Sequence, residues 1–325
     1  MTNDPNKCHG IAELQLMKVI FIINPVAGNG IALKKWRLFE QTAKFPFEAQ
    51  FTEASGHAIQ MAKALHTSKG PILLIGFGGD GTLREIVAGA AGAENLIVGA
   101  VAAGSGNDFC RGYTAFQDAE AILRFLKCPK SIKEDLGELC DGGASPFVSS
   151  AGMGFDGEIS MLANRSSAKK WLNRLGAGKI VYLLYVIKTL VSFERFQLVV
   201  EEGNRKLVFD NVWFATVSNQ PYFGGGMKIS PQSKTDDGLL ELTVVHNLSR
   251  LKLLLVFGTV FTGTHTRFKE VAQMSRPQFQ LTAGKAVFRH VDGDGAGTTP
   301  VNRAVTYAVS KQHWQSVNIE KKEEV

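Results

Sequence analysis

The sequence contains no long apolar run and no start typical of a secreted protein. No stretch reaches the ~18 uncharged apolar residues of a membrane-spanning helix, and the first sixteen residues lack the parts of a signal peptide. The four cysteines form no CxxC pair, so neither a zinc site nor a disulfide framework is predicted. We therefore expect a cytoplasmic protein with reduced thiols.

Signatures of nucleic-acid binding are also missing, although the chain is basic. The formal net charge of +6 favours acidic partners such as nucleotide phosphates, anionic lipid surfaces or nucleic acid. The sequence has no zinc finger, no RNA-binding aromatic signature and no long basic run. We expect no nucleic-acid partner.

The first half of the chain repeats a short apolar run, a glycine-rich loop and a helix-like segment. The apolar runs lie at residues 19–23, 72–75 and 96–98. Such runs followed by helices indicate parallel strands buried on both faces. Ligands of these sheets gather at the carboxyl ends of the strands. We predict an α/β nucleotide-binding domain with a parallel sheet over residues 17–140.

The pattern changes at the turn-rich residues 141–146, which could form a linker. Strand-like runs follow at 196–200, 206–209, 239–245, 278–282, 286–291 and 301–309, interrupted by helical segments at 165–191 and 249–262. We predict a β-rich, antiparallel, sandwich-like lipid-substrate domain over residues 141–325. Its extreme C-terminus could return to the first domain.

The loop with the most specific chemistry is Gly78-Gly79-Asp80-Gly81-Thr82. Glycines let backbone N–H groups approach a phosphate, and the following helix presents the positive end of its dipole. We expect Asp80 to act through Mg²⁺ or a ribose hydroxyl and Thr82 to donate to a phosphate. Thr82 with Glu85 also fits a helix capping box. The alternative is a flexible strand-to-helix turn.

Two further loops follow the first and third apolar runs. The first loop, after residues 19–23, contains Asn24, Pro25 and Gly28. The third loop, after residues 96–98, contains Ser105, Asn107 and Asp108. Ser105 and Asn107 offer neutral donors, and Asp108 a carboxylate at a helix start. Alternatively, the first loop is an ordinary βα turn and Asp108 a helix cap.

These motifs carry a resemblance. In this order, NPxxGxG, GGDGT and GSGND resemble the bacterial diacylglycerol kinase and sphingosine kinase family. The second half resembles the same family at residues 152–156, 236–242 and 291–295. The resemblance implies a first domain like that of NAD kinase and phosphofructokinase, with ATP between two domains. It implies transfer of the γ-phosphate to a lipid hydroxyl with Mg²⁺.

By similarity, nucleotide contacts fall on residues 24–28, Thr52, residues 78–82 and Ser105. For Thr52 a helix-capping turn is an equal alternative. The resemblance also implies a Mg²⁺ held by Asp237 and the backbone carbonyls of Lys234 and Leu239. Oxygen ligands suit this hard cation, whereas the alternative is a plain type I turn.

The general base of the family is a glutamate, and Asp294 stands at that position. A carboxylate can accept the proton of an attacking hydroxyl, but Asp is one methylene shorter than Glu. We predict that Asp294 is the base or that Asp292 shares the task. The alternative is an Asp-Gly hairpin turn without catalytic function.

Membrane contact is expected at the basic, Trp-containing segment 165–175, which suits an anionic surface. The apolar segments 180–191 and 253–257 could line a lipid pocket or form core helices. We expect a protein that is peripheral at the inner membrane face.

We therefore predict an ATP- and Mg²⁺-dependent lipid kinase acting on diacylglycerol or a related lipid alcohol. The alternatives are a soluble-substrate kinase of the NAD kinase type and a weakly catalytic regulator that binds nucleotide or lipid. Relatives include dimers, so a homodimer stays open.

Overall fold

The computed structural model describes residues 17–104, 106–165, 186–202 and 205–319. It divides into two compact units. The first unit extends to Glu134 and includes the described residues from Gln312 onward, while the second unit is the segment Asp135–Lys311. The nucleotide- and lipid-binding roles assigned to the two parts of the sequence stay predictions.

The first unit is a six-stranded sheet with helices. Its elements are β1 (Lys18–Ile23), α1 (Ile31–Thr42), β2 (Glu48–Phe51), α2 (His57–Ala64), β3 (Ile72–Gly78), α3 (Asp80–Ala90), β4 (Leu96–Ala102), α4 (Asp108–Gly112), α5 (Ala119–Lys127), β5 (Ser131–Glu134) and β19 (Trp314–Val317). The strand order is β2-β1-β3-β4-β19-β5. Every pair is parallel except β19 with β5.

Burial explains why these strands are continuously apolar. All seven residues of β3 are buried, as are the last five of β1. Phe21 of β1 and Phe77 of β3 pack on Trp36 of α1, with ring centroids 5.0 and 5.5 Å away. The predicted parallel α/β fold is confirmed.

The predicted capping box at Thr82 and Glu85 is wrong. α3 begins at Asp80, and its N-cap, Gly79, makes no side-chain cap bond. The carbonyl of Gly79 already accepts the N–H of Thr82 at 3.0 Å, so the helix turns before Thr82. Glu85 instead accepts the N–H of Gly56 at 2.8 Å and holds the start of α2.

The second unit is dominated by antiparallel strands. Its elements are β6 (Gly137–Cys140), β7 (Ala144–Phe147), β8 (Ser150–Gly154), α6 (Phe155–Arg165), β9 (Phe196–Glu202), β10 (Arg205–Ser218), β11 (Tyr222–Phe223), β12 (Met227–Lys228), β13 (Leu240–His246), α7 (Arg250–Phe257), β14 (Val271–Arg276), β15 (Gln278–Ala283), β16 (Phe288–Val291), β17 (Asp294–Thr298) and β18 (Ala304–Val309). Residues 186–192 are also helical. Short 3₁₀ helices span Gly258–Val260 and Thr264–Arg267.

Eleven of these strands form one sheet in the described part of the chain, in the order β17-β16-β8-β10-β9-β15-β18-β6-β7, with β13 joining β10 to β14. β8, β13 and the second half of β10 bury most of their residues around Trp213 and Tyr307. The sandwich-like antiparallel prediction is confirmed. The turn-rich residues 141–146 do not link the units, because Cys140 pairs with Ala144 in the hairpin between β6 and β7.

Two expectations from the composition can be compared with the described residues. No helix among them is both long and apolar enough to cross a membrane. Cys110 and Cys140 are free thiols, as the composition predicts.

Candidate functional site

Three loops of the first unit meet because they follow neighbouring parallel strands. They leave the carboxyl ends of β1, β3 and β4. The N–H of Asn24 donates to the carbonyl of Phe77 at 3.0 Å, and the N–H of Ala103 donates to that of Gly78 at 3.3 Å. The predicted loops therefore form one continuous edge.

Side-chain hydrogen bonds tie the first loop to the start of α3. Asn24 Nδ2 donates to Thr82 Oγ1 at 3.0 Å, and Asn24 Oδ1 accepts the N–H of Val26 at 3.2 Å. Pro25 lies between these residues and is partly exposed. Thr82 is buried, so its hydroxyl is held at the edge rather than turned toward bulk water.

Close backbone approach explains glycine at two loop positions. A Cβ on Gly104 would lie 2.6 Å from the Cα of Gly79, and a Cβ on Gly28 would lie 3.2 Å from the carbonyl oxygen of Ala103. Real Cβ atoms do not approach backbone as closely as the first distance. The loops after β3 and β4 pack this tightly only without a side chain at residue 104.

Asp80 is the carboxylate at the centre of this edge. Its Oδ1 accepts the N–H of Phe109 at 3.0 Å. Burial raises the pKa of Asp80 above its usual value, and the charge of Asp108 adds to the increase, whereas the Phe109 hydrogen bond lowers it. Gly81 lies in the same helical turn with open space at its Cβ position. A carboxylate whose ionised form is disfavoured can gain from a nearby cation.

The third loop is shaped by its own side chains. Asn107 adopts a left-handed conformation, and its Oδ1 accepts the N–H of Gly104 at 3.2 Å. Asp108, buried at the start of α4, pairs with Arg111 at 2.9 Å. Asn107, not Asp108, is the N-cap residue. Ser105 lies outside the described residues.

Thr52 follows β2 and is also brought to this edge. Its N–H donates to the carbonyl of Ile23 at 2.9 Å, directly before Asn24. Thr52 is buried, and the N-cap of α2 is Gly56. The helix-capping alternative for Thr52 is therefore not what the structure contains.

A lysine that follows the first loop supplies a cation at this edge. The ammonium of Lys35 on α1 donates to the carbonyl of Ala102 at 3.2 Å, where β4 ends. Lys34, Lys35 and Arg37 form a basic run in the sequence, but the run alone cannot tell which of them turns toward the loops. The contact selects Lys35 as a source of positive charge there.

In the second unit, Asp292 lies within a tight hairpin turn and Asp294 directly follows it. Val291 pairs with Asp294, and the two residues between them have positive φ angles of 48° and 84°, as a type I′ turn requires. The carboxylate of Asp292 accepts three backbone N–H groups of residues 148–150 at 2.8 to 2.9 Å. Asp294 is exposed at the first position of β17.

A buried polar cluster supports this hairpin. His290 is fully buried, and its Nδ1 accepts the N–H of Gly293 at 3.4 Å, which leaves Nε2 to donate to Asp156 at 3.0 Å. The hydroxyl of Thr216 donates to the same Asp156 oxygen at 2.6 Å. Phe223 stacks on the imidazole at 4.9 Å.

The motif resemblance included Asp156 but gave it no role, and His290 and Thr216 were missed. Their signal in the sequence is weak, because no local motif links His290 of β16 with Thr216 of β10. A Cβ on Gly152 would come within 2.7 to 2.9 Å of polar atoms of all three residues. Glycine at that position makes room for the cluster.

The predicted metal ligands lie on one turn of the second unit. Asp237 Oδ1 accepts the N–H of Leu239 at 3.1 Å, and Asp135 accepts the N–H of Gly238 at 2.6 Å. The side chain of Lys234 is exposed. Asp135 is buried and was not predicted to contribute; it anchors this turn.

Oxygen donors predominate around the turn, as a hard divalent cation requires. Burial raises the pKa of Glu241; hydrogen bonds from Ser233 and Ser275 lower it, and the charge of Asp237 raises it. No group of three or more His, Cys, Asp or Glu side chains in the described ranges could hold a metal. A cation at Asp237 would therefore depend on backbone carbonyls, as the predicted set does.

An apolar pocket of about 820 Å³, including the part open to solvent, lies within the second unit. Its walls include Leu253, Val256 and Phe257 of α7, while Asp156 and Thr216 supply polar groups. Residues of the segment 253–257 thus line a pocket, which was one of the two alternatives for them.

Two family models match separate parts of the chain. The diacylglycerol kinase catalytic domain matches residues 18–139, and the YegS C-terminal NAD kinase beta sandwich-like domain matches residues 149–310. The chain belongs to the diacylglycerol kinase family. The predicted enzyme class, a kinase, is confirmed with the family.

Relatives match this kinase over most of its length. The Bacillus subtilis (strain 168) protein named "Putative lipid kinase YtlR" is 29% identical over 87% of this chain and 95% of its own. A protein of Mycobacterium tuberculosis named diacylglycerol kinase is 28% identical over 88% of this chain and 91% of its own.

Among solved structures, a Bacillus anthracis str. Sterne protein described as a "putative diacylglycerol kinase" has a TM-score of 0.72. It is 20% identical, and the match covers 98% of this chain and 99% of that one. At this identity the likeness shows the shared fold.

Proposed function

We propose that this kinase uses ATP and Mg²⁺ to phosphorylate a lipid hydroxyl, that of diacylglycerol or a related lipid alcohol. Membership of the family supports ATP as the phosphate donor. The choice of a lipid acceptor depends mainly on one observation, the apolar pocket of the second unit.

The pocket suits a lipid better than a soluble acceptor. Apolar side chains predominate in its lining, among them Ile159, Val186 and Leu253. A dinucleotide or a sugar would leave its many hydroxyl groups without partners against such walls. A lipid chain would bury apolar surface there, with Asp156 and Thr216 near its polar end.

Nucleotide binding is assigned to the continuous edge after β1, β3 and β4. We propose contacts from Asn24, Pro25, Gly28, Thr52, Gly78, Gly79, Asp80, Gly81, Thr82, Ser105, Asn107 and Asp108. The N-terminus of α3 offers unpaired N–H groups and a positive dipole end to phosphate. Lys35 adds charge, whereas Asn107 and Asp108 act chiefly by holding the third loop in shape.

For the cation, the proposed ligands remain Asp237 and the carbonyls of Lys234 and Leu239. Bound Mg²⁺ would neutralise phosphate charge, which is a main requirement of phosphoryl transfer. Asp135 keeps this turn in place through Gly238. The donor set fits the ion chemically.

Asp294 is the proposed general base, and Asp292 is proposed to position it. Three backbone N–H groups donate to the carboxylate of Asp292, which engages most of its acceptor positions. Asp294 is exposed and can reach an incoming hydroxyl. The oxygen of that hydroxyl attacks the γ-phosphorus of ATP, its proton passes to Asp294, and ADP leaves.

The test is a transfer assay of the purified protein with γ-labelled ATP. The acceptors are a panel of lipid alcohols in detergent micelles, with NAD and sugars in parallel. We expect label in a lipid product only, and only with Mg²⁺ present. Label on NAD or a sugar but on no lipid would support the soluble-substrate alternative, and nucleotide binding without transfer would support the regulator.

A further inference from the structure

Helix α7 is apolar on two opposite faces. Leu253 and Val256 are buried and line the pocket. Leu251, Leu254 and Leu255 have i, i+3 and i+4 spacing, which places them on a common face, and they are 69%, 48% and 73% exposed. An apolar helix face normally packs against the core of the protein. The face of α7 that carries these three leucines is exposed to water instead.

Further exposed apolar side chains lie in segments connected to α7. Ile187 and Val191, also at i and i+4, are 45% and 69% exposed, and Phe261 is 49% exposed. Arg250, at the start of α7, donates to the carbonyl of Leu190 at 3.0 Å and so fixes α7 beside the helical residues 186–192. We call Leu251, Leu254, Leu255, Ile187, Val191 and Phe261 the Leu251 surface.

Basic residues accompany this surface. Within residues 249–270 there are four basic residues and one acidic residue, Glu270. Glu270 is buried and paired with Lys252 at 2.5 Å. Arg250, Arg267 and Lys269 are exposed, as is Lys188 in the neighbouring helical residues. The exposed charged side chains of residues 249–270 are therefore all positive.

The Leu251 surface is also continuous with the pocket. α7 carries the exposed leucines on one face and pocket-lining residues on the other, and Phe257, itself 37% exposed, lines the pocket. An apolar surface flanked by cations fits the boundary between lipid headgroups and acyl chains. A soluble partner would not account for its position beside an apolar pocket.

We propose that the Leu251 surface docks this kinase on an anionic lipid bilayer, with the leucines of α7 inserted among the headgroups. The proposal rests on the proposed function, in which the pocket takes a membrane lipid. Docking through α7 would bring the pocket wall to the bilayer, so that a lipid enters without crossing water. The cations would bind acidic headgroups.

The primary experiment measures sedimentation of the full chain with vesicles. The probes are vesicles of phosphatidylcholine alone and of phosphatidylcholine with phosphatidylglycerol. We expect tighter binding to the anionic vesicles, weakened by salt. Replacing Leu251→Glu and Leu255→Glu together should weaken binding by about tenfold or more, because two exposed apolar side chains that would insert into the bilayer become charged.

Leu38→Glu is the matched control, since Leu38 is an exposed helical leucine of α1, at 68%. We expect this variant to bind vesicles like the unaltered chain. Activity on a short-chain, water-soluble diacylglycerol is measured for every variant. The double variant should keep that activity and lose activity on vesicle-embedded diacylglycerol, which separates docking from folding and catalysis.

Three results would overturn the proposal. The unaltered chain fails to bind anionic vesicles, the double variant binds them normally, or the Leu38 control loses as much binding as the double variant. If the double variant instead converts a dimer to a monomer at unchanged vesicle binding, the surface contacts a second copy. If vesicle binding requires the leucines but no lipid is phosphorylated, docking stands and the proposed function fails.

Discussion

At the scale of single residues, two aspartates of one hairpin have different environments. The carboxylate of Asp292 accepts three backbone N–H groups, while that of Asp294 lies exposed at the strand start. The sequence presents both as members of one Asp-Gly-Asp motif. Only their contacts separate an anchoring carboxylate from one that can accept a proton.

We expect Asp294→Asn to lower kcat by about 100-fold or more, because the amide cannot take the proton of the attacking hydroxyl. The dissociation constant for ATP should stay nearly unchanged. Asp294→Glu should keep or raise activity, since it restores the residue of the family. Single-turnover transfer and equilibrium nucleotide binding measure both quantities, and full activity of Asp294→Asn would exclude Asp294 as the base.

Asp292→Ala should instead act on stability. It leaves three backbone donors of residues 148–150 without their acceptor, at a cost of roughly 2–4 kcal/mol. Urea unfolding of the variant and the unaltered chain measures the difference. A normal free energy of unfolding combined with lost catalysis would reverse the roles assigned to the two aspartates.

Asp80 gives a prediction with a definite pH dependence. Because burial raises its pKa above the usual 3.8, its ionisation in the folded state costs stability. Below pH 3.8 the carboxyl is protonated in both folded and unfolded chains, and this cost is absent. This loss of stability develops as the pH rises from 3.8 through the raised pKa. At neutral pH the ionisation of Asp80 therefore destabilises the folded chain to its full extent.

Asp80→Asn should therefore raise Tm at pH 7, and the difference should shrink toward pH 3.5. The Asn oxygen can still accept the N–H of Phe109. Affinity for Mg·ATP should fall by about tenfold or more, the loss of one charge-assisted contact. Thermal unfolding at both pH values and nucleotide titration are the measurements; an equal Tm difference at the two pH values would contradict the electrostatic account.

At the scale of elements, the proposed nucleotide-binding edge depends on how two loops pack. The loop after β4 crosses the start of α3 with Gly104 against Gly79. The parallel order of β1, β3 and β4 follows from apolar runs that the sequence shows plainly. The first residue of α3 could not be predicted from the sequence, because backbone geometry at Gly79, rather than the side chain of Thr82, begins the helix.

Gly104→Ala should disturb this packing, because its Cβ would lie 2.6 Å from the Cα of Gly79. We expect a loss of about 1–3 kcal/mol in stability and weaker nucleotide binding. Gly81→Ala is the matched substitution, since nothing lies within 4 Å of its Cβ position. It should gain roughly 0.5–1 kcal/mol from helix propensity. Equal effects of the two alanines on Tm would contradict the steric argument.

At the scale of the whole molecule, the strand β19 completes the sheet of the first unit, although it lies far from the other strands in sequence. β19 pairs with β4 on one side and with β5 on the other. Trp314 of this strand is buried against Tyr113, with ring centroids 5.0 Å apart. The second unit is a single continuous segment and does not depend on β19 for its sheet.

Truncation after Lys311 should therefore unfold the first unit and spare the second. An inner strand would be lost, leaving β4 and β5 with unpaired edges. Hydrogen exchange followed by mass spectrometry can report each unit separately. Protection of β1, β3 and β4 should disappear, whereas β8, β10 and β13 should stay protected; persistent protection of β1 and β3 would refute the dependence on β19.

The sequence by itself determined the fold class and the family of this protein. Buried parallel strands must be continuously apolar, and phosphate-type loops need glycine at fixed offsets from a strand, so both leave local patterns. The short motifs at residues 78–82 and 291–295 are local patterns too, so the sequence could predict a phosphate-binding loop and a general base there. They could not assign separate roles to Asp292 and Asp294, which differ only in their contacts.

Only the tertiary structure decided which residues meet. His290, Asp156 and Thr216 lie on separate elements, and nothing in their local sequence couples them. Leu251 and Leu253 are leucines two residues apart, yet Leu251 is exposed to water and Leu253 lines a pocket. Burial depends on what packs against each face of a helix, and that is set by contacts between residues distant in sequence.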